Sequence, residues 1–414
     1  MSFGCSRLLR GALVLIAALA AGAAAAAQPD PAVVATAEKI VAAEAASHPQ
    51  GSLTVAFVSA SDVIWTRSYG YADEAAKTPA TRNTVYRIGS VTKQFTGVML
   101  LQLIEHHDVS LSDPVEKYFP AIKTLEGWPP SKPITLLDLA THRAGLAREP
   151  DGCNGQRADQ ECRDVIGPVS QWEQTLTAAL PRVKLERAPD VSFSYSNVGY
   201  AILGAAMSHA VGEPYTRYVS ENIFTPLKMT HTAFEPTAEM AAVLARGYVV
   251  EKGVADPSIP DAELKSGRGY KVPNGAIFTT IDDLATFVSF EMGDGPESVL
   301  PHDVLKANYQ RAFPISRRAN TGSYGVGFFK QLVGGHVIIG HSGAVAGYTA
   351  SAFFNPDAKI GVVCLTSYMV SCDPAAIKAL VALLGGARRH GIDVRTESIP
   401  TTPAAPPSAA RDRY

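Results

Sequence analysis

The sequence predicts an α+β fold in which an antiparallel sheet is built from both ends of the chain and a mostly helical lobe is inserted between them. Strand-like apolar runs occur at 52–60 and 63–71, and again between 324 and 367. The intervening residues show helix and loop patterns, and helices flank the strands at both ends. We therefore expect helices to cover the sheet and a cleft to form between sheet and lobe, where a site is usually found.

Apolar periodicity and turn residues predict the individual elements. Gly334-Gly335 is a hairpin signal between strands at 324–332 and 336–339, and strands at 348–354 and 359–367 follow. Residues 251–270 are polar and are expected to form a loop. Thr280 or Asp282 is expected to cap a helix near 281. Further helices are predicted over 31–46, 90–107, 134–146, 169–180, 197–211, 214–223 and 373–384.

Composition limits the classes of partner. The chain has 414 residues, of which 46% are hydrophobic and 18% charged, so it can bury a large core. Its formal net charge is −2, and the only notable basic run is Arg388-Arg389. Nucleic acid is therefore not an expected partner. We expect a monomer that binds a small-molecule or peptide substrate and has no membrane contact beyond export.

The N-terminus has the pattern of a secretory signal. Arg7 and Arg10 precede an apolar run at 11–24, and small residues at 25–27 fit a cleavage site before Gln28. The run is somewhat short for a membrane span, so an uncleaved anchor is the less favoured alternative. We expect a periplasmic or secreted protein with a signal peptide at 1–27, a two-lobed domain at 28–390 and a disordered Pro/Ala-rich tail at 391–414.

Four cysteines remain after such cleavage, which allows disulfides in an exported protein. Cys153 with Cys162 and Cys364 with Cys372 are the two candidate pairs, and the sequence does not settle either. None has the spacing of a zinc site. The run at 105–108 is acidic and His-rich, but neighbouring helix residues point in different directions. We expect neither a metal nor another cofactor.

Ser90 begins a predicted helix, and Lys93 lies one turn further on the same face. The simplest interpretation is a helix cap with a surface lysine. However, a lysine in the first turn opposes the helix dipole, and such exceptions often mark functional sites. The alternative is a serine nucleophile whose proton is taken by a lysine of lowered pKa.

Two further stretches contain candidate partners for Ser90. Tyr195 and Asn197 lie in Ser-Tyr-Ser-Asn-Val, which by itself could be a turn that caps the next helix. His341 and Gly343 lie in Gly-His-Ser-Gly-Ala, which by itself could be a closely packed strand end. A tyrosine can move a proton, and an asparagine amide can orient a carbonyl.

Taken together, Ser90-x-x-Lys93, Tyr195-x-Asn197 and His341-x-Gly343 resemble the serine β-lactamase and penicillin-binding-protein superfamily. The closest resemblance is to its class C β-lactamase, DD-carboxypeptidase and β-lactamase-related esterase branch. The order and wide spacing of the three motifs also fit, and the resemblance covers about 31–386. It implies a β-lactamase/transpeptidase-like fold.

The resemblance also implies roles for individual residues. Ser90 would be the acylated nucleophile, Lys93 would assist proton removal and Tyr195 would be the general base. Substrate would contact Asn197, His341 and Gly343. The oxyanion hole would consist of the backbone N–H groups of Ser90 and Ala344. His142 is expected to be structural.

Two expectations about activity follow. His341 stands where efficient class C enzymes have lysine, so potent cephalosporinase activity is not expected. The expected function is an acyl-enzyme serine hydrolase acting on D-Ala-type peptides, β-lactams or small esters and amides, with specificity determined by loops at 148–169 and 250–271. The alternative is a non-catalytic penicillin-binding sensor or scaffold on the same fold.

Overall fold

A computed structural model of the chain describes residues 1, 29–153, 165–251, 254–316, 318 and 322–385. The predicted signal peptide and the predicted tail lie outside the described residues, as does Cys162, so the Cys153–Cys162 prediction is not tested. Among the described residues, none of the helices combines the length and the apolar character needed to cross a membrane.

The described strands form one large sheet and two short ribbons. The strands are β1 Ser52–Ser59, β2 Asp62–Asp73, β3 Thr78–Pro79, β4 Tyr86–Arg87, β5 Val249–Glu251, β6 Val254–Asp256, β7 Phe278–Thr279, β8 Phe313–Pro314, β9 Ser323–Tyr324, β10 Phe329–Val333, β11 His336–Val345, β12 Tyr348–Asn355 and β13 Ile360–Thr366. The large sheet has the order β3-β2-β1-β13-β12-β11-β10-β9-β8. Its paired strands are antiparallel, and β1 pairs with β13, so the prediction that both ends of the chain build one sheet is confirmed.

The helices of the described residues surround this sheet and fill the inserted lobe. They are α1 Pro31–Ser47, α2 Thr92–Glu105, α3 Leu136–Ala140, α4 Trp172–Ala179, α5 Asn197–Val211, α6 Tyr215–Val219, α7 Ala238–Ala242, α8 Ser258–Ser266, α9 Val272–Gly275, α10 Ile281–Ser289, α11 His302–Gln310 and α12 Asp373–Leu383. Thr280 caps α10 by accepting a hydrogen bond from the Asp283 N–H, as predicted.

Both faces of the central strands are buried, which explains why β1 and β13 are almost continuously apolar. On β1, Val55 and Phe57 belong to the core that includes residues of α1 and α12. Ala56 and Val58 belong to the larger core that includes residues of α2 and α10. Successive side chains on a strand alternate between faces, so each set of β1 residues meets a different helical layer.

Helix α2 lies in the centre of the larger core, between the sheet and the inserted lobe. Every residue from Thr92 to Leu103 is buried. A helix buried on all sides has no polar face to present to water. The start of α2, and with it Ser90, therefore lies at the junction of the two lobes.

Two element predictions were wrong in detail. The predicted loop at 251–270 contains the end of β5, strand β6 and helix α8. Only Pro260 of α8 is buried, so the helix has no apolar stripe from which it could be recognised. The predicted helix at 134–146 is only α3, because His142 and Gly145 adopt positive φ angles of 56° and 76° and turn the chain back.

Cys364 of β13 forms a disulfide with Cys372, which immediately precedes α12. The next residue, Asp373, is 2% exposed and hydrogen-bonds the Ser351 hydroxyl of β12. Burial raises the pKa of Asp373 to about 6, although hydrogen bonds to neighbouring serines lower it.

We predict that Asp373 makes the protein less stable as pH rises from about 4 to about 6. In that window the folded carboxyl keeps a proton that the unfolded one has lost, so the free energy of unfolding falls with pH. A shift of this size corresponds to roughly 3 kcal/mol at most. Urea unfolding should show equal stability of wild type and Asp373→Asn near pH 4 and a more stable variant at pH 7. Asp357→Asn, at an exposed turn, is the control. A parallel pH response of wild type and Asp373→Asn would contradict the prediction.

Candidate active site

Ser90 lies in a 3₁₀ turn, Gly89–Val91, that leads from β4 into α2. Gly89 has φ 49°, and a Cβ placed there would lie 2.7 Å from the Ala344 carbonyl oxygen. Glycine is therefore required both by the backbone conformation and by the close approach of β11. This approach fixes Ser90, which is 7% exposed, beside the end of that strand.

Lys93 is completely buried and its Nζ contacts three oxygens. It lies 3.1 Å from Ser90 Oγ, 2.8 Å from Asn197 Oδ1 and 3.0 Å from the Asn274 carbonyl oxygen. Burial lowers the pKa of the amine well below 10.5, and the positive charge of Arg148 lowers it further. The carboxylate of Glu149 opposes this shift without cancelling it.

The three oxygens could each accept from an ammonium, but in the neutral form that burial favours only two of them are needed as acceptors. A neutral amine has two N–H groups and one lone pair, whereas an ammonium has three N–H groups. The amide oxygen of Asn197 and the carbonyl of Asn274 can only accept hydrogen bonds, so they use both N–H groups. In the neutral form the lone pair would face Ser90 Oγ, 3.1 Å away, and the serine hydroxyl would donate to it. This is the geometry that a base needs to take the serine proton.

The amide of Asn197 is held in this orientation by Glu149, which the sequence did not identify. Asn197 Nδ2 donates to Glu149 Oε1 at 2.6 Å, and a carboxylate oxygen cannot donate in return. The hydroxyl of Tyr270 donates to the other oxygen of Glu149 at 2.5 Å. Burial alone would raise the pKa of Glu149, but Lys271 and these hydrogen bonds lower it below its usual value. Glu149 is therefore charged and keeps Asn197 Oδ1 facing Lys93.

Asn274 is a second residue that the sequence did not identify. Its backbone carbonyl accepts from Lys93, and its Nδ2 donates to the Asn197 carbonyl oxygen at 3.0 Å. It lies in the short helix α9. A backbone acceptor leaves no signature in residue type, so it could not have been identified from the sequence.

Tyr195 lies close to Ser90 and Lys93, as expected. The Lys93 Nζ is 5.0 Å from the centre of its ring, and a hydrogen bond with Ser90 lowers the pKa of its hydroxyl. Burial has the larger effect and raises that pKa to about 12. The buried ring of His142 packs 4.1 Å from that of Tyr195, and its Nδ1 accepts from the Ser196 N–H. These contacts fit the structural role expected of His142.

Strand β11 presents a free edge to Ser90. Strand β10 pairs with β11 only as far as Gly340, so within the described residues no strand pairs with the β10-facing side of 341–345. A Cβ placed at Gly343 would lie 1.9 Å from the Ile88 carbonyl oxygen and 2.9 Å from the Ser90 nitrogen. Gly343 was expected to make room for substrate, and here it makes room for the Ser90 turn. Ser90 and Ala344, whose N–H groups were predicted to form the oxyanion hole, lie on these adjoining segments.

His341 is placed differently from what was expected. Its side chain is 1% exposed, its Nδ1 donates to the Ser342 carbonyl and its Nε2 lies 3.1 Å from the Tyr324 hydroxyl. Burial and the nearby Lys93 lower the pKa of the imidazole to about 3. The ring is therefore neutral and occupied by protein contacts, which leaves no cation at this position for a substrate carboxylate.

A cavity of about 870 Å³ lies next to this region, between the segment before Tyr195 and strands β8 to β11. Its walls include Phe193, Leu332 and Val337, but not Ser90, Lys93 or Asn197. The reacting groups thus lie at the β11 edge and not inside this cavity.

Comparison with known proteins places this geometry in a family. The model of the family described as Beta-lactamase matches residues 37–387. The chain belongs to the β-lactamase family. Its fold also resembles a solved class C β-lactamase, with a TM-score of 0.68, 18% identity and coverage of 86% of this chain and 96% of the other. The predicted fold class, a β-lactamase/transpeptidase-like α+β fold, is confirmed.

Other proteins to which the chain is similar have different names. An octameric penicillin-binding protein homologue from Pyrococcus abyssi has a TM-score of 0.70 and 26% identity, covering 86% of this chain and 78% of that one. Protein flp of Staphylococcus aureus strain N315 is 24% identical over 81% of this chain and 64% of its own length. The D-alanyl-D-alanine-carboxypeptidase/endopeptidase AmpH of Escherichia coli K12 is 33% identical over 50% of this chain and 51% of its own. The chain thus spans less than two thirds of these curated relatives.

We predict that Gly343→Ala disrupts the site more than it disrupts the fold. The new methyl group must displace the Ile88 carbonyl and the Ser90 N–H, and overpacking of this kind typically costs about 1–3 kcal/mol of stability. The rate of Ser90 labelling by a fluorophosphonate should fall by about 10²-fold or more, since an oxyanion donor has moved. Gly167→Ala, where the nearest atom is a Thr175 methyl at 3.3 Å, is the matched control. Equal labelling rates in wild type and Gly343→Ala would show that this contact does not position the site.

Proposed function

We propose that this protein is an exported serine hydrolase that forms an acyl-enzyme on Ser90 and acts on D-Ala-type peptides, β-lactams or small esters and amides. The observation that carries the proposal is the buried Lys93 amine, whose Nζ lies 3.1 Å from Ser90 Oγ. Membership of a family of serine hydrolases supports it. Export rests on the predicted signal peptide.

In the proposed acylation step, Ser90 Oγ attacks the substrate carbonyl while its proton passes to the neutral Lys93 amine. The directions of the pKa shifts favour Lys93 over Tyr195 as this base, because the lysine pKa is lowered and the tyrosine pKa is raised. The tetrahedral oxyanion would be bound by the N–H groups of Ser90 and Ala344, at typically about 3 kcal/mol for each donor. The Asn197 side chain, which contacts Lys93 beside the nucleophile, would contact the substrate amide.

The leaving group then needs a proton. Tyr195 is suited to deliver it, because its hydroxyl stays protonated at neutral pH and interacts with Ser90. Lys93, which gains a proton in the first half of the step, would then pass that proton to the Tyr195 oxygen and restore both groups to neutrality. In deacylation the same two groups would activate water and return the proton to Ser90.

The names of similar proteins support a substrate class but do not establish it for this protein. AmpH is named as a D-alanyl-D-alanine-carboxypeptidase/endopeptidase, and the match covers half of each chain. The neutral, buried His341 argues against tight binding of a β-lactam carboxylate at the position where efficient class C enzymes have lysine. A peptide that ends in a carboxylate meets the same neutral His341, so peptides, β-lactams and esters are compared directly by experiment.

A non-catalytic penicillin-binding sensor or scaffold is the competing interpretation, and labelling separates the two. We expect a fluorophosphonate to add once to the folded wild-type protein and not to Ser90→Ala, with Ser192→Ala labelled like wild type. Intact mass after addition of benzylpenicillin then classifies the enzyme. A lasting adduct indicates a penicillin-sensitive peptidase, a brief adduct with penicillin consumed indicates a β-lactamase, and no adduct directs the search to esters. If folded wild-type protein is not labelled by the phosphonate, the enzyme proposal fails.

The proposed base predicts the pH dependence of acylation. Only neutral Lys93 can take the proton, so the labelling rate should rise with pH through the lysine pKa and level off well below 10.5. Lys93→Arg should lower the rate by about 10³-fold or more at every pH, because a guanidinium stays protonated. The check is the labelling rate between pH 5 and 9.5, with unfolding followed in parallel. A rate still rising at the upper limit would move the role to Tyr195.

A further inference from the structure

We propose that Arg148 binds a negatively charged group of the substrate, so that the enzyme prefers acyl donors or leaving groups that carry a carboxylate. This inference rests on the proposed function and adds a specificity-determining residue to the Ser90 site. The sequence had assigned specificity to the loop at 148–169 without naming a residue or a charge.

Arg148 is anchored at the site by its backbone. Its carbonyl oxygen accepts hydrogen bonds from the Asn197 N–H at 2.9 Å and from the Val198 N–H at 3.4 Å, at the start of α5. Its guanidinium carbon lies 4.7 Å from the centre of the Tyr195 ring. Among the charged groups, Arg148 has the largest lowering effect on the pKa of Lys93 and of Tyr195. The guanidinium is therefore beside the reacting groups.

The N–H donors of the Arg148 guanidinium are available to a ligand. No hydrogen bond or ion pair joins it to another residue in the described part of the chain, and the residue is only partly buried. The neighbouring cations are engaged with carboxylates: Arg143 with Asp190, Arg268 with Glu263 and Lys271 with Glu149. An arginine has five N–H donors in a planar fork that fits a carboxylate.

A substrate carboxylate bound at this site would need such a cation. His341 is neutral and is held by Tyr324 and by the Ser342 carbonyl, so it cannot neutralise a substrate carboxylate. Glu149 is the nearest carboxylate in sequence, but it is occupied by Asn197, Tyr270 and Lys271. Arg148 thus provides a positive charge that the protein itself does not use in an ion pair.

The experiment must distinguish substrate binding by Arg148 from a second role. Arg148 lies over Tyr195 and could act only by positioning that ring and by lowering the pKa of its hydroxyl. A positioning role would affect every substrate equally. A binding role would affect a charged substrate more than a neutral one of the same size.

Matched substrate pairs make this distinction. p-Nitrophenyl butyrate and p-nitrophenyl hemisuccinate differ by a carboxylate in the acyl group, and phenyl acetate and 4-acetoxybenzoate differ by one in the leaving group. The measured quantity is the ratio of kcat/KM for the charged member to kcat/KM for the neutral member. We expect wild type to favour the charged member of at least one pair, and the preference to weaken at high salt.

For that pair, Arg148→Gln should lower the ratio by about tenfold, and Arg148→Glu should lower it further. Arg67→Gln, which removes an exposed charge on β2, should leave the ratio unchanged. If Arg148→Gln lowers kcat/KM equally for both members of each pair, Arg148 acts only through Tyr195. A charged-to-neutral ratio that is the same in wild type and Arg148→Gln would also overturn the inference. Failure of the proposed function looks different, because wild type would then hydrolyse no member of either pair and would not be labelled by the phosphonate.

Discussion

The burial of the Lys93 amine is the constraint on which the site depends. A charged ammonium in this position would be costly, and the protein relieves the cost by favouring the neutral form. Two fixed acceptors then leave one direction for the lone pair, toward Ser90. In the proposed mechanism, the orientation of the base toward the nucleophile thus follows from one desolvated group and its two partners.

The partners of Lys93 come from distant parts of the chain and are brought together by the fold. Asn197 starts α5 of the inserted lobe, and Asn274 belongs to α9, which packs between α2 and α5. The β11 edge arrives from the opposite lobe and contacts the Ser90 turn through Gly343. Helix α2 can serve as the common support because it is buried on all sides.

The charged groups around Lys93 are supplied by the inserted lobe and not by the third motif. The third motif contributes the neutral, buried His341, while the lobe contributes the carboxylate of Glu149 and the cations Arg148 and Lys271. The positive charges keep Lys93 neutral, and Glu149 holds the amide that Lys93 contacts. The charges around Lys93 thus come from two separate segments of the lobe, at 148–149 and at 271.

The sequence by itself determined the fold class, most of the long elements and the order of the three motifs, because these depend on local periodicity and on residue type. It identified Ser90, Lys93, Tyr195 and Asn197, whose chemistry is carried by their side chains. Only the tertiary structure decided that His341 is buried and that α8 forms in a polar stretch, since burial depends on what packs against a segment. It alone revealed the Asn274 carbonyl, which is 181 residues from Lys93, because a backbone acceptor can be supplied by any residue type.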